Sequence, residues 1–462
     1  MSFLSSVTPA PFLRPMFNLG SPFDIPTGHY EVGKYGESIL NAGLAYITGV
    51  GGRGNTFKST IAEFMLLIIL DHLMGEMLKY DTEVNTSLRR TQKLMWFAEQ
   101  LLKDYDVETG DRIKLTDKTI YDGTQFWSLL KDGTAYRSKF PKELMGVTPF
   151  RNRDGNLIEM LMPLLAFIDS LSQFAAANVE KIQDGNGIGD SSRNTEALRD
   201  AGAKTQMLME LPAVTAKNGV HVMMTAHMGD DLALDPYAPP QKKLAFLKNK
   251  LKFKGVPEKF TFLTQNCWVT HHATPLINQT TKAPEYPRDS EDDLKGDTDL
   301  MSVMIQLVRG KYGQSGMTHE VVVSQSDGVH QGLTEFLYLK THDRFGIGGN
   351  DRNYYLELLP DVNLSRTTIR GKIDSNYKLR RALQITSEIL QMSHYWTHLP
   401  KGLLCTPKQL FDDLKAKGYD WDVLLMTRGW WTFNNDKHEI PFLSTMDLLN
   451  MRAGTYKPYW MK

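Results

Sequence analysis

The chain has 462 residues, of which 41% are hydrophobic and 23% are charged, a balance that is ordinary for a globular protein and excludes a wholly disordered one. Its 53 basic and 53 acidic residues cancel, so the net charge alone does not indicate nucleic-acid binding. The two distant cysteines exclude a disulfide scaffold and a cysteine-rich zinc site. No apolar run reaches about 18 residues, which predicts a protein without a membrane span. The first residues do not resemble a signal peptide, so we expect a cytoplasmic protein.

The pattern of apolar runs divides the chain into four parts. Residues 1–40 are rich in proline and glycine and are predicted to form an N-terminal arm. In residues 41–345, short strands alternate with helices, which predicts an α/β core with a mostly parallel central sheet flanked by helices. Residues 346–364 are predicted to be a linker, and 365–462 a smaller, mainly helical C-terminal domain, with a winged-helix arrangement as one option. The predicted core strands are 44–48, 77–80, 112–115, 164–168, 220–225, 267–270, 303–308 and 320–324.

The first motif is a glycine-rich turn between a strand and a helix, in the segment ITGVGGRGNTFKSTIAEFM. Such a turn points successive backbone N–H groups at one phosphate, and the positive end of the following helix faces the same place. Residues 52–59 read GRGNTFKS and match the P-loop pattern G-x-x-x-x-G-K-[ST], except that Phe57 replaces the second glycine. The predicted nucleotide-binding residues are Gly52, Arg53, Gly54, Asn55, Thr56, Phe57, Lys58, Ser59 and Thr60.

Within this loop, Lys58 would reach the terminal phosphates of ATP, and the Ser59 hydroxyl would bind Mg²⁺. The alternative is a glycine-rich turn that binds nothing, and the Phe57 side chain would favour it by crowding the phosphates. A second Mg²⁺ ligand is predicted at Asp169, which ends the apolar strand in PLLAFIDSLSQF. An aspartate that only caps the next element is the competing interpretation.

The segment MLKYDTEVNTSLRR follows the P-loop helix directly, and its strand ends in Asp-x-Glu. This order resembles the RecA recombinase family, and the resemblance implies that Glu83 activates the attacking water. It further implies that His227, at the end of the strand GVHVMMTAHMGDD, senses the terminal phosphate. In IQLVRGKYGQSG, Arg309 and Lys311 lie where RecA- and DnaB-type subunits reach the ATP of a neighbour. Each residue also has an alternative without function. Glu83 could belong to an acidic helix cap, His227 could be an ordinary histidine at a strand end, and Arg309 and Lys311 could be solvated residues of a hairpin.

Two segments are candidates for binding DNA. Residues 185–211, including Gly189–Ser191, resemble the first DNA-binding loop of RecA-type recombinases, and DNA would lie along residues 183–193, including Arg193. Residues 242–259 contain seven lysines and one acid, and Phe246, Phe253 and Phe260 between them would offer surfaces for base stacking. The alternative is an amphipathic helix with a solvated basic face. The basic residues predicted to contact DNA are Lys242, Lys243, Lys248, Lys250, Lys252, Lys254 and Arg193.

The resemblance to the RecA/DnaB superfamily covers roughly residues 40–345. It implies an ATPase with ATP and Mg²⁺ at subunit interfaces, acting on single-stranded DNA as a RecA-like recombinase in recombination, repair or replication. Its partners would be DNA and further copies of the chain, in a filament or a ring and without a membrane; a phage-encoded member would work in the host cytoplasm. A hexameric helicase of the DnaB type and a non-catalytic DNA-binding scaffold with a degenerate P-loop are the two alternatives.

Overall fold

The structure of the chain is a computed structural model. It describes residues 6–98, 102–176, 179, 196–230, 244–247, 251–288, 297–350, 352–433 and 440–461. Across these ranges, no helix combines the length and the apolar character that crossing a membrane requires.

The centre of the molecule is a ten-stranded, mostly parallel sheet, which confirms the predicted α/β class. Six neighbouring strands run parallel in the order β5-β4-β8-β9-β3-β11, and β12, β13 and β14 extend the sheet antiparallel beyond β11. The tenth strand, β10, pairs antiparallel with the end of β9. The strands are β1 His29–Val32, β2 Ser38–Asn41, β3 Ile47–Gly52, β4 Glu76–Asp81, β5 Ile113–Asp117, β6 Met145–Arg151, β7 Leu157–Leu161, β8 Leu164–Asp169, β9 Val220–Asp230, β10 Leu251–Phe253, β11 Asn266–Pro275, β12 Leu300–Gly310, β13 Thr318–Ser324, β14 Gly328–Val329, β15 Ile347–Gly349, β16 Tyr354–Leu356 and β17 Leu359–Leu364.

All eight predicted core strands are present, and the first of them differs most in its bounds. It begins at Ile47 and continues through the glycines that the sequence pattern assigns to the turn. A side chain at Gly51 would meet the Phe253 ring at 2.2 Å, and one at Gly52 would meet Thr270 Oγ1 at 2.0 Å. Glycine therefore occupies these two strand positions because neighbouring residues approach too closely for a side chain.

Helices cover both faces of the sheet, and α2 is buried along almost its whole length. A helix that is apolar on all sides belongs in the interior, and α2 lies there directly after the glycine-rich turn. The helices are α1 Ser21–Asp24, α2 Lys58–His72, α3 Leu88–Leu94, α4 Gly123–Lys139, α5 Pro141–Leu144, α6 Glu196–Asn218, α7 Lys259–Leu263, α8 Gln331–Thr341, α9 Ile369–Ser375, α10 Tyr377–Tyr395, α11 Pro407–Ala416, α12 Trp421–Leu425 and α13 Thr445–Ala453, with a short 3-10 helix at Ile25–Thr27.

The two ends of the chain pack together against the sheet. Trp396 Nε1 donates to the backbone oxygen of Ile25 at 3.0 Å, and Trp431 Nε1 donates to that of Met16 at 3.0 Å. One hydrophobic cluster joins the early segment, α8 and the C-terminal helices. The proline-rich start, predicted to be an arm, is therefore buried from residue 15 to 19 and from 21 to 28. The predicted linker 346–364 contains the antiparallel sheet β15-β16-β17.

His221 lies on β9, where it joins this early segment to the sheet. Its ring stacks on Tyr46 at 4.6 Å, lies 4.6 Å from Phe17, and its Nδ1 is 3.2 Å from the backbone oxygen of Ala45. Burial lowers the pKa of His221 to about 4. The folded state therefore keeps the ring neutral at pH values where the unfolded chain, with a histidine pKa of about 6.5, is protonated.

We expect His221 to make the free energy of unfolding fall as pH decreases from about 6.5 toward 4. The expected contribution is about 1.4 kcal/mol per pH unit, since one additional proton is bound on unfolding. Urea unfolding of the wild type and of His221→Phe at several pH values measures it, because the difference between the two proteins cancels the other titrating groups. A difference that does not change with pH would contradict this role of His221.

Candidate functional site

The glycine-rich turn connects the end of β3 to the first residue of α2, Lys58. Asn55 and Phe57 both have positive φ, at 60° and 59°. The second glycine of the P-loop pattern would adopt this conformation freely, whereas a residue with a side chain loses about 1–2 kcal/mol. The Phe57 side chain packs against the main hydrophobic cluster. The substitution therefore preserves a glycine-like backbone at the cost of local strain.

Three side chains meet at the start of α2. Asp169 Oδ1 accepts hydrogen bonds from Ser59 Oγ at 2.9 Å and from Thr225 Oγ1 at 2.5 Å. These residues converge because β8 and β9 are parallel neighbours: Ile168 pairs with Met224, which places the next residues, Asp169 and Thr225, side by side at the same edge of the sheet. The peptide bond from Asp169 to Ser170 is cis.

Glu83 lies on the turn after β4, and Asp81 holds that turn in place. The Asp81 carboxylate accepts backbone N–H groups from Glu83 at 2.9 Å, Asn85 at 2.9 Å and Thr86 at 2.7 Å. Because Asp81 pairs with Asp169 across β4 and β8, the turn sits at the same edge as Ser59 and Thr225.

Glu83 is in turn joined to the next two strands. Its Oε1 lies 2.5 Å from His227 Nε2 and accepts a hydrogen bond from Ser170 Oγ at 3.0 Å. His227 is fixed through its backbone, because its N–H donates to Ser172 Oγ at 2.8 Å. The predicted residues Lys58, Ser59, Glu83, Asp169 and His227 thus come from four separate segments and lie at one edge of the sheet.

The two carboxylates in this cluster have opposite pKa shifts. Burial raises the pKa of Asp169, although the hydrogen bonds from Thr225 and Ser59 act against it. Burial also acts to raise the pKa of Glu83, but the hydrogen bond from His227 and the nearby charge of Lys58 outweigh it, and the pKa lies below its usual value. Glu83 is therefore ionised at neutral pH.

A buried ion pair joins α2 to β4 near this edge of the sheet. Lys79 Nζ on β4 lies 2.7 Å from Glu63 Oε2 on α2, and both side chains are at most 3% exposed. Thr91 Oγ1, on α3, donates to the other oxygen of Glu63 at 2.5 Å. Glu63 therefore ties the helix after the glycine-rich turn to the strand and the helix on either side of Glu83.

The donor set fits a nucleotide phosphate with Mg²⁺ better than a metal held by protein alone. Among the described residues, no group of three or more His, Cys, Asp or Glu side chains could hold a metal ion. Ser59 and Asp169 offer one hydroxyl and one carboxylate, and Mg²⁺ commonly binds to one or two such ligands plus substrate phosphates. A side chain added at Gly54 would meet nothing within 4 Å, so the top of the turn is open.

Part of the basic segment is described, and it runs beside the His227 strand. Leu251–Phe253 pairs with the end of β9, and the backbone N–H of Lys254 donates to the His227 oxygen at 2.8 Å. Lys254 Nζ donates to the Asp230 backbone oxygen, and the Asp230 carboxylate forms an ion pair with Arg53 of the glycine-rich turn. The basic segment, His227 and the turn are therefore in direct contact.

The interpretation of the aromatic residues in this segment was wrong for Phe260, which is fully buried because the helix Lys259–Leu263 packs it against the sheet. Phe253 is partly buried and packs on Phe260 at 5.2 Å and against Gly51. Phe246 is 48% exposed and keeps the predicted character. Arg193, Lys242, Lys243, Lys248, Lys250 and the whole of 183–193 lie outside the described residues, whereas Lys252 lies on β10.

Arg309 and Lys311 are not brought to the cluster. Arg309 pairs with Cys267, which pairs with Gly49, three residues before the end of β3 at Gly52. This places Arg309 about 10 Å along the strand from the glycine-rich turn, and the chain then leads Lys311 farther away. Arg309 Nε is buried and has no hydrogen-bond partner among the described residues. Neither residue can therefore act at the site of its own chain.

Sequence reasoning missed the residues that hold the predicted ones in place. Thr225 and Ser170 bind the two carboxylates, and Ser172 fixes the His227 backbone. Their position at the ends of strands could have indicated these residues, since Thr225 precedes His227 by two residues and lies on the same face of the strand. This position predicts a contact with Asp169 only when β8 and β9 are known to be neighbours in the sheet.

Comparison with known proteins assigns no family to the chain. A scan against protein-family models finds no match, and a search of curated proteins finds none either.

Proposed function

We propose that the chain is an ATPase whose active site is the cluster at the start of α2. The observation that carries the proposal is the hydrogen-bonded pair of Ser59 and Asp169, at 2.9 Å, beside a glycine-rich strand–turn–helix. A P-loop needs such a hydroxyl and carboxylate together to hold Mg²⁺. The order of parallel strands is compatible with a RecA-like core, and ligands in such sheets bind at the carboxyl ends of the strands, where this cluster lies.

Each residue has a distinct role in the proposed reaction. The turn and Lys58 bind the phosphates, while Ser59 and Asp169 would hold Mg²⁺, which neutralises charge on the phosphates when bound. Glu83 orients a water molecule and accepts its proton as the water attacks. His227, in contact with Glu83 at 2.5 Å, connects the water-activating group to the strand that leads into the basic segment.

We further propose that the ATPase acts on single-stranded DNA in the manner of a RecA-like recombinase. The support is the chain of contacts from Lys254 through the backbone of His227 to Glu83, because DNA bound at the basic segment would act on the site by this route. The test is ATP turnover with and without single-stranded DNA. Turnover that requires or increases with DNA supports the proposal, and turnover unaffected by DNA at any concentration contradicts the DNA part alone.

Assembly into an oligomer is part of the same proposal, and Arg309 provides its test. Arg309→Ala is expected to be inactive alone and to lower the activity of mixed assemblies by more than dilution, because each mutant subunit spoils the site of a neighbour. Turnover is measured over a series of mutant fractions at constant total protein. A linear decrease would place Arg309 outside any shared site. Electron microscopy with DNA and an ATP analogue separates filaments from the closed hexamers of a DnaB-type helicase.

A further inference from the structure

A second cavity, of about 590 Å³, lies behind α2 and away from the glycine-rich turn. Phe64, Ile68 and His72 line it from one face of α2, with the spacing of four residues that places side chains above one another. Phe64 and Ile68 come six and ten residues after Lys58, so they lie about 9 and 15 Å along the helix from the phosphate-binding end. The cavity is therefore separate from the proposed ATP site.

The walls of this cavity are unusually rich in flat rings. Trp430 stacks on His72, with ring centres 4.4 Å apart and planes 12° from parallel. On the α8 side, Trp96 lies 4.2 Å from the His330 ring. Burial lowers the pKa of both His72 and His330 to about 3, so both rings are neutral at physiological pH. They present aromatic faces and not positive charges.

The polar groups around the rings carry both signs of charge. Lys103 and Arg380 offer donors, Asp374 offers a carboxylate, and the Gln331 amide offers one of each. Arg380 Nη1 already donates to two backbone oxygens of α9, at 2.9 Å each, which holds it in the wall. In all, the lining includes four acidic side chains and three basic ones, so it offers acceptors and donors together and not a single sign of charge: Asp24, Asp71, Glu335 and Asp374, and Lys103, Arg380 and Arg381. It favours a neutral ligand whose edge both donates and accepts hydrogen bonds.

We propose that this cavity binds a neutral, planar, bicyclic heteroaromatic molecule that stacks on its tryptophan and histidine rings. A cavity of this volume is within the range of small-molecule sites, which are mostly aromatic with a few polar groups that fix orientation. Purines and indoles share this chemistry. The cavity lies where α2 meets the C-terminal helices, which separates such a ligand from the proposed ATP site.

The test is calorimetric titration of the full chain with two probes, adenosine and indole, in separate experiments. At least one is expected to bind, and Trp96→Ala is expected to weaken it by at least about fivefold, the effect of losing one stacked ring. Trp96 is 37% exposed, so its removal leaves the core intact. Trp96→Phe keeps a ring and is expected to retain most of the binding. Trp127→Ala, on α4 and outside the cavity, is the matched control.

Trp96→Ala also separates this proposal from the ATP site, since adenosine carries no phosphate for Lys58 to bind and Trp96 lines the cavity and not the glycine-rich turn. Adenosine binding that weakens in Trp96→Ala supports the cavity. Adenosine binding that is unchanged in Trp96→Ala would assign the nucleoside to another site and overturn the purine arm. Failure of both probes on the wild type, or equal affinity in Trp96→Ala, would overturn the proposal whether or not the protein hydrolyses ATP.

Discussion

Lys58→Ala is expected to lower ATP turnover by about a hundredfold or more while the protein stays folded. The ammonium would stabilise charge on the phosphates, and loss of one such preorganised group typically lowers turnover by this much. Its charge acts on the Glu83 and Asp169 carboxylates of the same cluster. Because a cation at a helix N-terminus opposes the helix dipole, removing it does not weaken α2.

Turnover and thermal unfolding of the purified variant are the measurements for Lys58. Lys408→Ala is the matched control, since Lys408 also lies in the first turn of a helix, α11, but its side chain is 66% exposed and it is far from the cluster along the chain. Wild-type turnover in Lys58→Ala would refute the assignment of the turn as a P-loop. A large drop in unfolding temperature would instead make Lys58 a structural residue.

Glu83→Gln is expected to bind ATP normally and to lose about a hundredfold to ten-thousandfold in hydrolysis. The amide keeps the shape of the side chain and an oxygen that accepts from Ser170, but it cannot take a proton from water. The low pKa of Glu83 keeps the wild-type group ionised, so the loss should be present throughout the neutral pH range.

Binding of a fluorescent ATP analogue and steady-state turnover, measured on the same preparation, test this prediction. Glu76→Gln is the control, because Glu76 begins the same strand and its side chain is 62% exposed. If Glu83→Gln loses binding together with hydrolysis, Glu83 supports the fold of the site and another group activates water.

The parts of this structure that depend on local sequence could be predicted. The runs 164–168 and 220–225 are almost entirely apolar, as expected of strands that are buried on both faces, and this composition was enough to predict β8 and β9. The glycine-rich strand–turn–helix could be predicted for the same reason, since its residues are adjacent in the chain. Phe57, where the P-loop pattern has glycine, has a φ of 59°, a backbone conformation that favours glycine.

The contacts between distant segments could not be predicted. The bonds from Thr225 to Asp169 and from His227 to Glu83 exist only because of the order in which the strands lie in the sheet. The prediction of an exposed Phe260 was wrong. Its basic neighbours indicate an exposed face, whereas a short helix turns this ring inward. A sequence pattern describes one segment of the chain, whereas the environment of these residues depends on segments that are distant in the sequence.

The packing of the two chain ends has a consequence for biosynthesis. Met16 and Ile25 are made about 400 residues before their partners Trp431 and Trp396. At about 5–20 residues per second, the apolar segment around them waits tens of seconds before its partners exist. The nascent protein must therefore carry an uncovered hydrophobic segment during that time, and a chaperone that binds such segments would find its target there.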